Sequence, residues 1–311
     1  MRCAGVKFSG LLKWSAKCYN HSMNTNILYG KAVAEEVRSK VRELAMAFSP
    51  APALAAVRIG SDAATDHYLT GQSKAAQKLG LRFFPVVLPP DCSQNALEAE
   101  LDRLSCDWGV DGIILMTPIP GTLDIHSARK HISPAKDVEG ITPYAVGMLA
   151  LGRPYLVAPT ARAAFELARR HMGELSGVEA LVIGYSDTVG KPLSLLLLNE
   201  RATVSIARSK ARDLPGLLER SDLVFVSLGK PAFVRGEMIK PGAVVIDVGI
   251  HEVRVKTDTG DESVALIGDV DASSMIGVAG ALSPVPGGVG PVTTAFLYAN
   301  LIDAATGRRG K

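Results

Sequence analysis

Hydrophobic and polar positions follow two periods along this chain, and the two alternate from residue 24 almost to the end. Short apolar runs rich in β-branched residues predict buried strands, whereas apolar positions three and four residues apart predict amphipathic helices. In the first half the predicted strands are 53–60, 82–89 and 110–120, and the predicted helices are 31–47, 66–80 and 93–104. Pro85 lies inside the second of these strands, which is typical of an edge strand.

The second half repeats the alternation. Its predicted strands are 180–184, 202–207, 222–229 and 243–250, and its predicted helices are 160–172 and 192–200. We therefore predict an α/β protein with two parallel-sheet domains, each sheet covered by helices on both faces. We assign 23–155 to the first domain, 156–290 to the second, and 291–311 to a C-terminal helix that packs back on the first domain.

Residues 1–22 are interpreted as an extension outside the fold. The segment contains no acidic residue and has four basic ones, Arg2, Lys7, Lys13 and Lys17. It has the composition of an organellar transit peptide, or it follows a start codon assigned too far upstream. We favour the second explanation and expect a cytoplasmic protein; a transit peptide would make it mitochondrial.

Composition excludes several classes of protein. Hydrophobic residues make up 47% of the chain and charged residues 21%, which is typical of a soluble globular protein. The net charge of +3 is too small to predict a nucleic-acid partner, and no segment is apolar for long enough to predict a membrane span. The cysteines have no metal-ligand spacing, so we expect no metal site and a reducing compartment. They are Cys3, Cys18, Cys92 and Cys106.

The segment 283–294, SPVPGGVGPVTT, is the most informative part of the chain. Proline fixes φ and glycine permits positive φ, so this composition predicts a shaped loop. A helix-like apolar run follows at once. A glycine-lined loop of this kind lets the main chain approach a flat ligand, and Pro286, Gly287 and Gly288 are its candidate ligand contacts.

A second loop, 184–190 (GYSDTVG), lies where a predicted strand meets a predicted helix. In doubly wound sheets this position binds a pyrophosphate on the helix N-terminus, although the spacing here is not GxGxxG. Close packing of the helix on the strand would also explain the glycines. After the next strand the chain reads Arg208, Ser209, Lys210. Without a carboxylate for the ribose 2′-hydroxyl, this favours NADP over NAD, unless it is an ordinary solvated basic turn.

The motif PVPGGVGPVT resembles the C-terminal signature of the methylenetetrahydrofolate dehydrogenase/cyclohydrolase family. The resemblance covers roughly 25–305 and includes Gly184, Ser186, Val189, Gly190 and Pro192. It implies a Rossmann-type second domain, an active-site cleft between the domains, NADP as cofactor, a folate substrate and a homodimer. The cofactor-binding residues that it implies are Gly184, Tyr185, Ser186, Val189, Gly190, Arg208, Ser209, Gly229, Gly249 and Ile250.

The folate side departs from the family pattern. The family has tyrosine, three residues and then its catalytic lysine, whereas this chain has Tyr68 and Gln72. Lys74 lies about 200° further round the helix and cannot replace that lysine. Met116 stands where the family has glutamine, and Glu139 where it has aspartate, while Asp137 matches. The resemblance thus assigns Tyr68, Gln72 and Glu139 to the catalytic positions, and the substrate contacts to Tyr68, Met116, Asp137, Glu139, Pro286, Gly287 and Gly288.

These departures predict which activity survives. Hydride transfer needs alignment of cofactor and substrate, whereas hydrolysis of the methenyl product needs protons to be moved. Glutamine can neither carry a positive charge nor transfer a proton at neutral pH. We therefore expect an NADP-dependent 5,10-methylenetetrahydrofolate dehydrogenase with impaired cyclohydrolase activity. The alternatives are a non-catalytic NADP- or folate-binding paralogue or partner subunit, for which the bulk of Met116 argues, and a changed pterin substrate.

Overall fold

The computed structural model describes residues 24–60, 63–256 and 262–310. The predicted extension 1–22 lies outside these residues, and so does the side chain of Tyr68, whose backbone lies in a described helix. Within the described part of the chain no helix is long and apolar enough to cross a membrane.

Strands and helices alternate through both halves, as the hydrophobic pattern predicts, except between Leu223 and Ile267, where four strands follow one another without an α-helix among the described residues. The first half contains β1 (Asn26–Ile27), α1 (Lys31–Ala45), β2 (Ala53–Ile59), α2 (Ala63–Lys78), β3 (Arg82–Leu88), α3 (Gln94–Cys106), β4 (Gly112–Leu115), α4 (Ile125–Arg129) and α5 (Pro143–Ala150). The second contains α6 (Pro159–Met172), β5 (Glu179–Ile183), α7 (Gly190–Asn199), β6 (Thr203–Ala207), α8 (Leu214–Arg220), β7 (Leu223–Val226), β8 (Val244–Asp247), β9 (His251–Lys256), β10 (Glu262–Ile267), α9 (Ala272–Met275), β11 (Ala281–Ser283) and α10 (Val289–Arg309).

The first sheet has the order β3-β2-β4, and all its strands are parallel. The central strand β2 is buried on both faces: Leu54 and Ala56 belong to one core cluster, Ala55 and Val57 to another. β3, which contains Pro85, lies at the edge, as its proline predicts.

The second sheet has the order β1-β11-β8-β7-β5-β6 and is also entirely parallel. Counted from β5, the strands follow the doubly wound order 2-1-3-4-5. The next strand after β5 is added on one side of it and the later strands on the other, so strand order reverses between β5 and β7. One assignment needs correction: we placed 23–155 in the first domain, but Asn26 and Ile27 pair with Ala281 and Leu282 of the second sheet. A two-residue strand held by partners far away in the sequence has no periodic signal.

Helix α10 belongs to both cores. Val292 and Phe296 pack in a cluster of the second domain, and Leu301 and Ile302 pack in one of the first. The buried Asn300 lies between them, and its amide nitrogen donates to the carbonyl oxygens of Val138 and Val157, both at 2.8 Å. The C-terminal helix therefore holds the two halves of the chain together.

Candidate active site

A cavity of about 90 Å³, the interdomain cavity, lies between the two sheets. The first domain contributes β4, α2 and the turn before α5, and the second contributes the loop before α7; α6 and α10 complete the wall. The lining residues are Gln72, Ile114, Glu139, Ala158, Pro159, Thr160, Thr188, Thr293, Thr294 and Leu297. A larger groove of about 380 Å³ runs between α1, α6 and α10, but none of the predicted site residues lines it.

Gln72 lies in the wall of the interdomain cavity, as the sequence predicts, and is 5% exposed. The Tyr298 hydroxyl lies 2.6 Å from the Gln72 carbonyl oxygen and 3.0 Å from its Oε1, and donates to them. This contact joins positions 226 residues apart, and Tyr298 lies in an apolar helical run. Nothing in the local sequence therefore marks Tyr298 as part of the site.

Glu139 is the other predicted catalytic residue in the wall. Its Oε2 accepts a hydrogen bond from the Leu115 N–H at 3.0 Å, which fixes the carboxyl group. Burial raises the pKa of Glu139 to about 7, and the charge of Asp137 adds to the rise, while the Leu115 hydrogen bond and the charge of Arg129 oppose it. Glu139 can therefore hold or release a proton near neutral pH.

Asp137 and Met116 are predicted substrate contacts that do not line the interdomain cavity. Asp137 is fully buried, and its carboxylate accepts hydrogen bonds from the backbone N–H groups of Ile141 and Thr142 at 3.2 and 2.7 Å. Despite these bonds, burial raises its pKa. Met116 packs against the first-domain core. In the structure Asp137 shapes the turn that carries Glu139, and Met116 fills core volume.

No lysine occurs among the described residues that line the interdomain cavity. Lys74 faces a separate groove with Arg58 and Phe83. Lys136 is buried elsewhere, and its Nζ donates to the carbonyl oxygens of Leu104 and Asp107 at 2.7 and 2.6 Å; burial lowers its pKa to about 8. Among the described lining residues, Glu139 is accordingly the one ionisable group.

The loop before α10 is shaped by its glycines. Gly287 has φ +103°, and its carbonyl oxygen accepts a hydrogen bond from the Gly30 N–H at 2.8 Å. A Cβ on Gly288 would lie 2.6 Å from the carbonyl oxygen of Pro284. Pro286, Gly287 and Gly288 are not among the lining residues; they form the loop that leads into α10, whose Thr293 and Thr294 face the cavity.

The nucleotide turn, residues 184–190, lies where β5 ends, at the switch point of the second sheet. Gly184 has φ +108°, and a Cβ there would collide with the Ser227 carbonyl oxygen at the end of β7. A Cβ on Gly190 would likewise lie too close to the Gly184 carbonyl oxygen. Ser186 Oγ accepts a hydrogen bond from the Val189 N–H, and no side chain caps α7. The turn thus offers helix N–H groups to an anion, where a dinucleotide diphosphate fits.

Arg208, one of the predicted ribose-phosphate residues, lies beside the ring of Tyr185. Arg208 Cζ lies 5.8 Å from the centroid of the Tyr185 ring, and Lys191 Nζ lies 5.4 Å from it. Arg208 and the next residue, Ser209, are exposed. Two cations, a hydroxyl and an aromatic face suit an adenine ring and a ribose 2′-phosphate.

Two buried aspartates hold the remaining cofactor-side glycines. Asp269 accepts backbone N–H bonds from residues 228–230 at 2.5 to 2.9 Å, and lies 2.6 Å from His251 Nε2. Asp247 accepts N–H bonds from Gly249 and residues 269–270; burial raises its pKa to about 7. These carboxylates position Gly229 and Gly249 beyond the carboxyl ends of β7 and β8. Ile250 follows with 67% exposure.

Comparison with known proteins identifies the family. Residues 28–139 match the model of the tetrahydrofolate dehydrogenase/cyclohydrolase catalytic domain, and residues 158–309 match that of its NAD(P)-binding domain. The bifunctional protein FolD of Roseiflexus sp. strain RS-1 is 42% identical over 287 residues, which are 91% of this chain and 97% of that protein.

Solved structures agree. The Trypanosoma brucei methylenetetrahydrofolate dehydrogenase-cyclohydrolase, complexed with NADP and an inhibitor, superimposes with a TM-score of 0.85 at 33% identity and covers 93% of this chain and 99% of its own. The FolD structure from Campylobacter jejuni gives 0.84 at 31% identity, over 91% and 99%. This chain belongs to the tetrahydrofolate dehydrogenase/cyclohydrolase family.

Proposed function

We propose that this chain is an NADP-dependent 5,10-methylenetetrahydrofolate dehydrogenase in which the cyclohydrolase step is impaired. The observation that carries the proposal is the wall of the interdomain cavity, where Gln72 occupies the position of the family's lysine and Glu139 is the one ionisable group among the described lining residues. The relatives named bifunctional, at about two fifths identity, support the general activity.

The dehydrogenase step makes modest demands on the side chains. Bound NADP would supply the acceptor for the hydride that leaves the methylene carbon of the folate. The chain has to hold both molecules in line, and no proton leaves the reacting carbon. The glycine positions of the nucleotide turn hold one ligand, and the walls contributed by α6 and α10 orient the other.

The cyclohydrolase step demands more. Water must attack the methenyl carbon and lose a proton, and a ring nitrogen must gain a proton as the ring opens. Gln72 donates and accepts hydrogen bonds but carries neither a positive charge nor a mobile proton, and Tyr298 holds its amide. Loss of a positioned acid–base group typically costs about 10²–10⁴-fold in rate. Glu139 remains as a weaker proton carrier.

A non-catalytic role is less well supported than the sequence suggested. Met116 supports that alternative if it adds bulk in the folate site, but it is partly buried against the first-domain core and does not line the interdomain cavity.

Restoration of the lysine tests the proposal. The wild-type protein should form NADPH from methylenetetrahydrofolate while the methenyl product accumulates, and Gln72→Lys should increase methenyl consumption by about 10²-fold or more. Lys74→Gln is the matched control, because Lys74 faces the separate groove and its loss should leave both rates unchanged. Rapid methenyl clearance by the wild-type protein would refute impaired hydrolysis.

A further inference from the structure

Arg129, the last residue of α4, is a charged side chain that the proposed function has not used. Its side chain is only 8% exposed. A guanidinium group cannot lose its charge at ordinary pH, so burial of this kind requires partners that compensate for the loss of water.

The partner of Arg129 lies in the other domain. Arg129 Nη1 donates to Asp187 Oδ2 at 2.9 Å, and Asp187 belongs to the nucleotide turn. Lys191 also pairs with Asp187, and His126 Nδ1 lies 3.8 Å from it. The neighbouring residue, Thr188, lines the interdomain cavity. The ion pair thus links α4 of the first domain to the start of α7.

The position of Asp187 poses an electrostatic problem. A diphosphate held by the nucleotide turn carries negative charge, and a carboxylate within the same turn would repel it. Arg129 and Lys191 offset that charge. Arg129 also favours the ionised form of Glu139, which lines the interdomain cavity.

A second observation concerns the rest of the guanidinium group. The buried Nε of Arg129 has no hydrogen-bond partner among the described residues. An unpaired N–H adds to the cost of burying this charge, so the pairing with Asp187 is the main compensation that Arg129 receives.

We propose that Arg129 is a positioning residue of the dinucleotide site, which acts from the first domain by neutralising Asp187 so that the nucleotide turn can hold the diphosphate. The inference depends on the proposed function only in that NADP is the ligand. If Arg129 acts in this way, residues of both domains contribute to the nucleotide site.

Equilibrium binding of NADP to the full-length protein, without folate, tests the inference independently of turnover. Arg129→Gln should weaken NADP binding by about tenfold, the usual worth of a charged hydrogen bond. Adenosine 2′-monophosphate, which lacks the diphosphate, should bind Arg129→Gln and wild type equally. Arg208→Gln is the matched control, because it should weaken both ligands through the 2′-phosphate.

Replacement of Asp187 distinguishes an electrostatic role of Arg129 from a purely structural one. The double variant Arg129→Gln/Asp187→Asn should recover NADP affinity to within about threefold of wild type, because the turn then carries no carboxylate charge that Arg129 has to offset. Asp187→Asn alone should bind NADP at least as tightly as wild type. This variant also serves if Arg129→Gln does not fold, since an ion pair that only clamped the domains would predict weaker binding.

The outcomes are distinct. Wild-type affinity in Arg129→Gln, no recovery in the double variant, or weaker binding in Asp187→Asn overturns the inference and leaves the proposed function untouched. A wild-type protein that binds NADP but turns over no folate refutes the proposed function alone. A wild-type protein that does not bind NADP refutes both.

Discussion

The nucleotide turn and the interdomain cavity meet at one cleft, yet different parts of the chain give them their properties. The nucleotide turn owes its shape to the main chain: a Cβ on Gly184 would collide with the Ser227 carbonyl oxygen, and one on Gly190 with the Gly184 carbonyl oxygen. In the proposed function, the chemistry of the interdomain cavity depends on two side chains that line it, Gln72 and Glu139. A main-chain site tolerates changes in exposed side chains, whereas a proton-transfer site changes with one residue.

The largest effect should come from a change to the main-chain site. Gly184→Val introduces a Cβ that collides with the Ser227 carbonyl oxygen at a residue with φ +108°. We expect NADP binding and dehydrogenase turnover to fall below detection, with a loss of about 3 kcal/mol in the free energy of unfolding. Equilibrium binding and urea denaturation measure the two quantities.

Gly147→Ala is the control for that experiment. Gly147 lies in α5, and a Cβ there meets no atom within 4 Å among the described residues. Binding should stay unchanged, and stability should rise by up to about 1 kcal/mol. If Gly184→Val bound NADP as well as this control, the site would not depend on main-chain shape.

Glu139→Gln should have the next largest effect, confined to residual hydrolysis. With a pKa raised to about 7, Glu139 gains the carboxylate form that can accept a proton from water as pH rises through neutrality. The wild-type rate, corrected for enzyme-free hydrolysis, should therefore rise with a midpoint near pH 7. Glu139→Gln should lose about 100-fold of that rate and the midpoint, with the dehydrogenase rate little changed.

A flat wild-type profile, or an unchanged profile in Glu139→Gln, would mean that another group carries the proton. The contrast between the two regions would then fail for the interdomain cavity, because proton transfer there would not depend on Glu139.

The smallest effect should come from Tyr298→Phe. The variant removes the hydroxyl that binds Gln72 and leaves the ring in the core, so we expect a loss of about 1 kcal/mol in the free energy of unfolding. Dehydrogenase turnover should fall by less than about threefold, since no proton is transferred there. Urea denaturation and initial rates check the two values; a large loss of turnover would show that Gln72 must be held in place for hydride transfer.

Local sequence pattern predicted most of the fold because most of its elements are buried apolar runs or amphipathic helices. The edge position of β3 followed from Pro85, and the nucleotide turn followed from its glycines. The same reasoning missed β1, Tyr298 and Arg129. Each of these depends on a partner far away in the sequence, at separations of 255, 226 and 58 residues for Asn26–Ala281, Tyr298–Gln72 and Arg129–Asp187.

The predicted substrate contacts separate for a related reason. A motif gives the residue type at a position but not the direction of its side chain. Gln72 and Glu139 face the interdomain cavity, whereas Asp137 turns to the backbone and Met116 to the core.

The amide of Asn300 has a consequence for how such a protein can diversify. It donates hydrogen bonds to the carbonyl oxygens of Val138 and Val157, which lie directly before and after residues 139–156. One side chain therefore holds both ends of this segment. Insertions or deletions around α5 can lengthen or shorten that loop while its endpoints, next to Glu139 and Ala158, keep their separation. Asn300→Leu would release both endpoints at once, and the width of the cleft would then vary with the length of the stretch.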